Sequence, residues 1–123
     1  MKKYFLLFFI TSITLIISEG CSYDKESILY PENACDTLSQ SFSNDIFPII
    51  NNQCVSCHSG TTPSGGFLLN SHSTIKVQVT NGKLIGSIKH ISGYSSMPKN
   101  SPKLSDCNIE RIQAWINQGT LNN

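Results

Sequence analysis

Cys54-Val55-Ser56-Cys57-His58 is the stretch on which the fold and the chemistry turn. Two thiols three residues apart on a helix lie on the same side of one turn, and the residue after the second thiol follows them around it. The helix itself is legible just upstream. Ile46, Phe47 and Ile50 recur at three- and four-residue spacing toward Cys54. Ser43 or Asp45 can cap it, and Pro48 is tolerable in the first turn, where a missing N–H leaves nothing unpaired. The spacing therefore predicts a helix from Ile46 to about Cys57 with Asp45 as its cap. After it, Ser-Gly-Thr-Thr-Pro-Ser-Gly-Gly over 59–66 is a loop by turn chemistry.

A Cys-x-x-Cys pair has several uses. A thioredoxin-like redox pair needs a βαβ setting, and no parallel-strand pattern flanks this one. A zinc site needs further ligands at close spacing, whereas His72 and His90 stand alone. With His58 directly after the second cysteine, the motif is the attachment signal for a c-type haem. Cys54 and Cys57 would carry the thioethers, and His58 would donate a ring nitrogen to the iron as proximal ligand. For the second axial position, Met97 is the one methionine besides Met1. It sits in Ser95-Ser96-Met97-Pro98, an extended loop well suited to deliver a thioether. Two alternatives stand beside it: Met97 as a filler of a core gap, and His90 as a second imidazole ligand. His72 reads as a solvent-exposed or capping residue.

Downstream, Phe67-Leu68-Leu69 is a short apolar segment, and His72 to Val79 and Lys83 to Ile91 are short helix candidates separated by Asn81-Gly82. Gly93, Pro98 and Pro102 make 92–103 a loop. The last helix has the clearest signals: Ser105 as N-cap, Asp106 in the first turn where the helix dipole favours negative charge, and Gly119 as the stop. Leu104 and Ile109 occupy the places of a hydrophobic staple. Ile109, Ile112 and Ile116, with Trp115 beside them, form an apolar face expected to pack on the helix before Cys54.

The N-terminus belongs to export. Lys2 and Lys3 precede an apolar run from Tyr4 to Ile17, whose 14 residues fall short of the roughly 20 that span a bilayer. Residues 1–20 read as a signal peptide. Ser18 and Gly20 fit cleavage before Cys21, which resembles the acylated cysteine of a bacterial lipoprotein, although Ser18 stands where an aliphatic residue is usual. Ordinary signal peptidase could cut the same bond. Residues 21–41 read as a lipid-anchored tether and 42–123 as the functional domain.

Five cysteines lie at 21, 35, 54, 57 and 107. With Cys21 lipidated and Cys54 and Cys57 on haem, parity pairs Cys35 with Cys107, a disulfide suited to an exported chain with a thin core. Without residues 1–20 the chain carries seven basic and seven acidic residues, so nucleic-acid binding has no electrostatic support.

The order of these features resembles the class I c-type cytochromes, most closely the planctomycete-type cytochrome c domain. The residues that carry it are Ile46-Phe47-Pro48-Ile49-Ile50, Cys54-Val55-Ser56-Cys57-His58, Gly65-Gly66-Phe67-Leu68-Leu69, Ser96-Met97-Pro98 and Ile112 to Gly119. It covers about residues 42–121. The resemblance implies a small all-α cytochrome c fold, with N- and C-terminal helices packed across a single covalent haem c. It implies Cys54 and Cys57 as thioether links, His58 as proximal ligand and Met97 as distal ligand. It also implies that a proline carbonyl, here that of Pro63, orients His58. The Cys35–Cys107 pair is no part of it and rests on parity.

The expectation is a mono-haem electron carrier rather than an enzyme: a monomer that exchanges electrons with donor and acceptor proteins at a membrane surface, periplasmic or on the cell exterior. Two other functions remain on the table. An iron left open by Met97, with His90 as distal donor, would suit peroxidase-like or gas-binding chemistry. A domain docked on a larger oxidoreductase complex would serve as an interaction module.

Overall fold

Ser41 starts the first helix of the computed structural model, which describes residues 35–123. The expected signal peptide, Cys21 and the first part of the expected tether lie outside these residues. Ser41 is extended (φ −86°, ψ 137°) and its hydroxyl accepts from the Asn44 N–H at 3.3 Å. Asp45 Oδ2 accepts in return from the Ser41 N–H at 2.9 Å. The two exchange bonds as in a capping box. The cap is therefore Ser41, and Asp45, expected in that place, sits inside the first turn.

Helix α1 runs over 42–55 in three registers: π-helical from Phe42–Ile46, α-helical from Phe47–Ile50 and π-helical again from Asn51–Val55. It starts four residues before the expected Ile46. Pro48 accounts for the first wide turn. A proline lacks the N–H for the usual bond and its ring crowds the carbonyl four residues back. The chain relieves this by widening, so that the Ile46 N–H reaches Ser41 O at 3.1 Å and the Phe47 N–H reaches Phe42 O.

A short 3-10 turn, Ser64–Gly66, follows. Helix α2 is His72–Thr80, capped by a reciprocal Ser71–Thr74 pair, and α3 is Lys83–Ile88, entered through Gly82 at φ 72°. Helix α3 ends before the expected Ile91, because His90 turns left-handed (φ 56°). Helix α4 is Asp106–Asn117, capped by Ser105, and Gly119 (φ 98°) follows its end. Among the described residues the chain is helical without strands, as an all-α fold requires.

Helices α1 and α4, together with α3, enclose the core. Phe42, Ile46, Ile49 and Ile50 bury one face of α1 against Ile109, Ile112 and Trp115 of α4, with Leu69, Ile75, Leu84, Ile88 and Leu104 closing the sides. Trp115 is fully buried and its indole N–H donates to Leu121 O at 2.9 Å. The expected Ile116 lies at the edge of this face and Trp115 at its centre. Fully burying one such side chain contributes about 2–3 kcal/mol.

Polar contacts fix the α1–α4 pairing. Arg111 pairs with the Asp45 carboxylate and donates through Nε to Gln40 Oε1 at 3.0 Å. Gln40, 3% exposed, also donates its backbone N–H to Gln118 Oε1 at 3.0 Å. Residues 35–41, read from sequence as tether, therefore pack with the domain, which forms a single unit from Cys35 to Asn123. Cys35 and Cys107 are joined as a disulfide, with Cα atoms 5.3 Å apart, pinning this segment to the start of α4. No helix among the described residues is long and apolar enough to cross a membrane.

Candidate cofactor-attachment site

The end of α1 and the turn that follows it bring Cys54, Cys57 and His58 together. The Cys57 and His58 N–H groups both donate to Cys54 O, at 3.1 and 3.0 Å. One carbonyl thus holds the turn that carries both thiols and the imidazole. Neither thiol is in a disulfide; Cys57 is exposed and Cys54 half-buried. Burial pushes the Cys54 thiol up to about 11, helped by the charge of Cys57 nearby. Burial thus moves Cys54 further from the thiolate than an ordinary thiol, the opposite of the lowering that activates a nucleophilic cysteine.

His58 is 5% exposed, and its Nδ1 is the one buried side-chain polar atom among the described residues without a hydrogen-bond partner. Leaving such an atom unpaired costs about 1–3 kcal/mol, and native folds rarely keep one without a use for it. The ring face is covered by Phe67, with centroids 4.5 Å apart and planes 18° from parallel. Stacking against the face fixes the plane of the imidazole and leaves the nitrogens on its edge free of the contact.

The loop after the motif builds this packing. The Ser64 N–H donates to Cys57 O at 2.9 Å and the Leu69 N–H to His58 O at 2.8 Å, folding the loop back on the turn. Gly65 (φ 68°) lets Phe67 come close, because a Cβ there would stand 2.9 Å from Phe67 Cε1. Phe67 is the site residue that motif reading missed. Its signal was the Gly65-Gly66 pair just before it, which frees the backbone to bring an aromatic ring back over His58. Pro63 does not play the orienting part the resemblance implies: its carbonyl accepts from the Gly66 N–H at 3.0 Å, and His58 Nδ1 has no partner.

Met97 is half-buried in the loop after α3. Both of its backbone polar groups are held: the N–H donates to Ser87 O at 3.1 Å, and the C=O accepts from His90 Nε2 at 3.0 Å. His90 is exposed, with Nε2 committed to that carbonyl. Its use as the second imidazole ligand therefore loses support. His72, expected at the surface or as a cap, does neither. It lies just inside the cap Ser71, bonds Thr120 O at 2.8 Å through Nε2 and meets the Phe42 ring edge-on at 4.8 Å. It is a packing residue tied to the C-terminal segment.

Among the described residues no three His, Cys, Asp or Glu side chains gather to hold a metal ion by themselves. Cys54 and Cys57 consequently lack the extra ligands of a structural zinc site. A groove of about 290 Å³ lies elsewhere, between Thr37, Lys89 and the Glu110–Gln113–Asn117 side of α4. It includes none of the residues of the motif. Comparison with known proteins yields no relative: no family model, curated protein or solved structure matches the chain.

Proposed function

We propose that this chain is an exported mono-haem c-type cytochrome that carries single electrons at a membrane surface. The observation that carries the reading is the turn that closes α1, Cys54 to His58, where two unpaired cysteines and a buried imidazole with an unpaired nitrogen come together. These residues fit haem c. Cys54 and Cys57 would hold it through thioethers, and His58 would supply the proximal nitrogen. Met97 would supply the distal thioether.

The bound group supplies the chemistry, a one-electron change between Fe(III) and Fe(II). The chain's own residues supply the rest. Phe67 limits rotation of His58, so the nitrogen lone pair is presented in one direction. Cys54 and Cys57 fix the attachment to the helix that anchors the α1–α4 interface. The Met97 loop is held to α3 by its backbone, which keeps a flexible thioether side chain near one position. Residues 1–21 support export and lipid anchoring, with redox proteins as the partners.

A redox titration of the purified protein tests the proposal. The expected result is one electron per chain, with the oxidised and reduced spectra of a low-spin haem and no turnover of hydrogen peroxide. A high-spin spectrum with peroxidase turnover would favour an open distal site and overturn the electron-carrier reading.

A further inference from the structure

We infer that His90 is a positioning residue for the distal ligand, acting through the carbonyl of Met97. The inference rests on the haem reading above.

Met97 has a side chain with several rotatable bonds, so the place of its sulfur is only as definite as the backbone beneath it. That backbone is bonded at both polar groups. The N–H reaches Ser87 O, the same carbonyl that receives the His90 N–H at 3.2 Å. The C=O reaches His90 Nε2 at 3.0 Å. A carbonyl only accepts, so His90 carries its hydrogen on Nε2 and donates it. The two anchors sit three residues apart at the C-terminal end of α3, and together they set where Met97 lies relative to that helix.

His90 itself stands in a conformation that helps this reach. Its φ of 56° is left-handed, which non-glycine residues adopt at a cost. The turn directs the chain back along α3, where the Ile91 N–H bonds Gly86 O at 2.9 Å. The strained turn and the ring contact thus belong to one arrangement, a loop folded back so that a side chain seven residues earlier can hold Met97. Nothing else in the described structure bonds the Met97 carbonyl.

The consequence is an equilibrium. With the carbonyl bond present, the Met97 loop stays closed and would keep the thioether on the iron. Without it, the loop opens more often and would leave the iron to an outside ligand. A competing ligand reads that open fraction directly, since its apparent affinity scales with the population able to bind it.

Imidazole titration of the oxidised holoprotein, followed by loss of the thioether-to-iron charge-transfer band, is the test. His90→Ala should bind imidazole about fivefold more tightly, the effect of losing one hydrogen bond. His90→Asn, which tolerates the left-handed backbone but carries a shorter side chain, should behave like His90→Ala. His90→Gln, with a donor of longer reach, should return toward wild type. In the reduced holoprotein the Met97 amide should exchange several-fold faster in the Ala and Asn variants, with Ile112 unchanged. Wild-type imidazole affinity and Met97 exchange in both variants would overturn the inference and leave the haem reading standing. A wild-type protein with covalent haem but no thioether band would overturn the ligation by Met97, and this inference with it. A protein without covalent haem would overturn the reading on which both depend.

Discussion

The ring of Phe67 lies flat against the imidazole of His58, 4.5 Å between centroids and 18° from parallel. This contact is the main restraint on a histidine whose Nδ1 has no hydrogen-bond partner. Under the proposed ligation, this packing would take the place of the hydrogen bond that usually orients a ligating histidine.

Phe67→Ala should therefore destabilise the holoprotein while leaving both thioethers in place. Removing a half-buried ring costs about 2 kcal/mol, which for a domain of this size lowers the melting temperature by roughly 10 °C. Thermal unfolding with haem absorbance as the probe checks it, and an unchanged melting temperature would mean the stacking carries no weight.

Gly86→Ala decides between two opposing effects. In a helix interior alanine is favoured over glycine by about 1 kcal/mol. Yet a Cβ at Gly86 would stand 2.6–2.7 Å from three ring carbons of Tyr94. That crowding costs about 1–3 kcal/mol if the ring is held. The expected outcome is net destabilisation with Tyr94 displaced, together with tighter imidazole binding as the Met97 loop loosens. A stabilised variant would show that Tyr94 moves aside freely.

Reduction of the Cys35–Cys107 disulfide, or replacement of both cysteines by serine, should lower the unfolding free energy by up to about 4 kcal/mol, the loop-closure entropy of a 72-residue separation. The haem spectrum should be unchanged, because neither cysteine touches the motif. Denaturant unfolding with and without reductant measures the difference.

In the haem-free protein, the two thiols of the motif should differ in their pH response. Burial holds Cys54 at about 11 instead of its ordinary 9.0, whereas Cys57 is exposed. Iodoacetamide at about pH 9 should label Cys57 first, with labelling of Cys54 rising as the pH approaches 11. In the unfolded chain Cys54 ionises at its ordinary value, so the haem-free fold should lose stability as the pH rises beyond about 9. Mass mapping of the labelled peptides reads the order.

Much of the fold could be read from local chemistry. Ser105, Asp106 and Gly119 mark the limits of α4 because caps act over one turn and depend on residue type alone. The apolar spacing of Ile46, Ile50, Ile109 and Ile112 fixes which faces meet. The start of α1 was misread because Pro48 is accommodated by widening the turn before it, and a π register leaves no mark in hydrophobic spacing. Gln40 could not be recognised as part of the domain, since its burial depends on Arg111 and Gln118 far along the chain. The motif residues were legible as a set. Phe67 over His58, and His90 beneath Met97, were not, because both contacts arise from left-handed turns at Gly65 and His90 whose direction only the folded chain reveals.

A pyridine haemochrome spectrum separates covalent haem on Cys54 and Cys57 from every other use of the two thiols. The protein is made in cells that possess the c-haem attachment machinery and then extracted with acid–acetone. The expected result is a c-type spectrum with one haem per chain that stays with the protein, lost as a covalent adduct in the Cys54→Ser, Cys57→Ser double variant. Haem that extracts freely, or no haem at all, would contradict it.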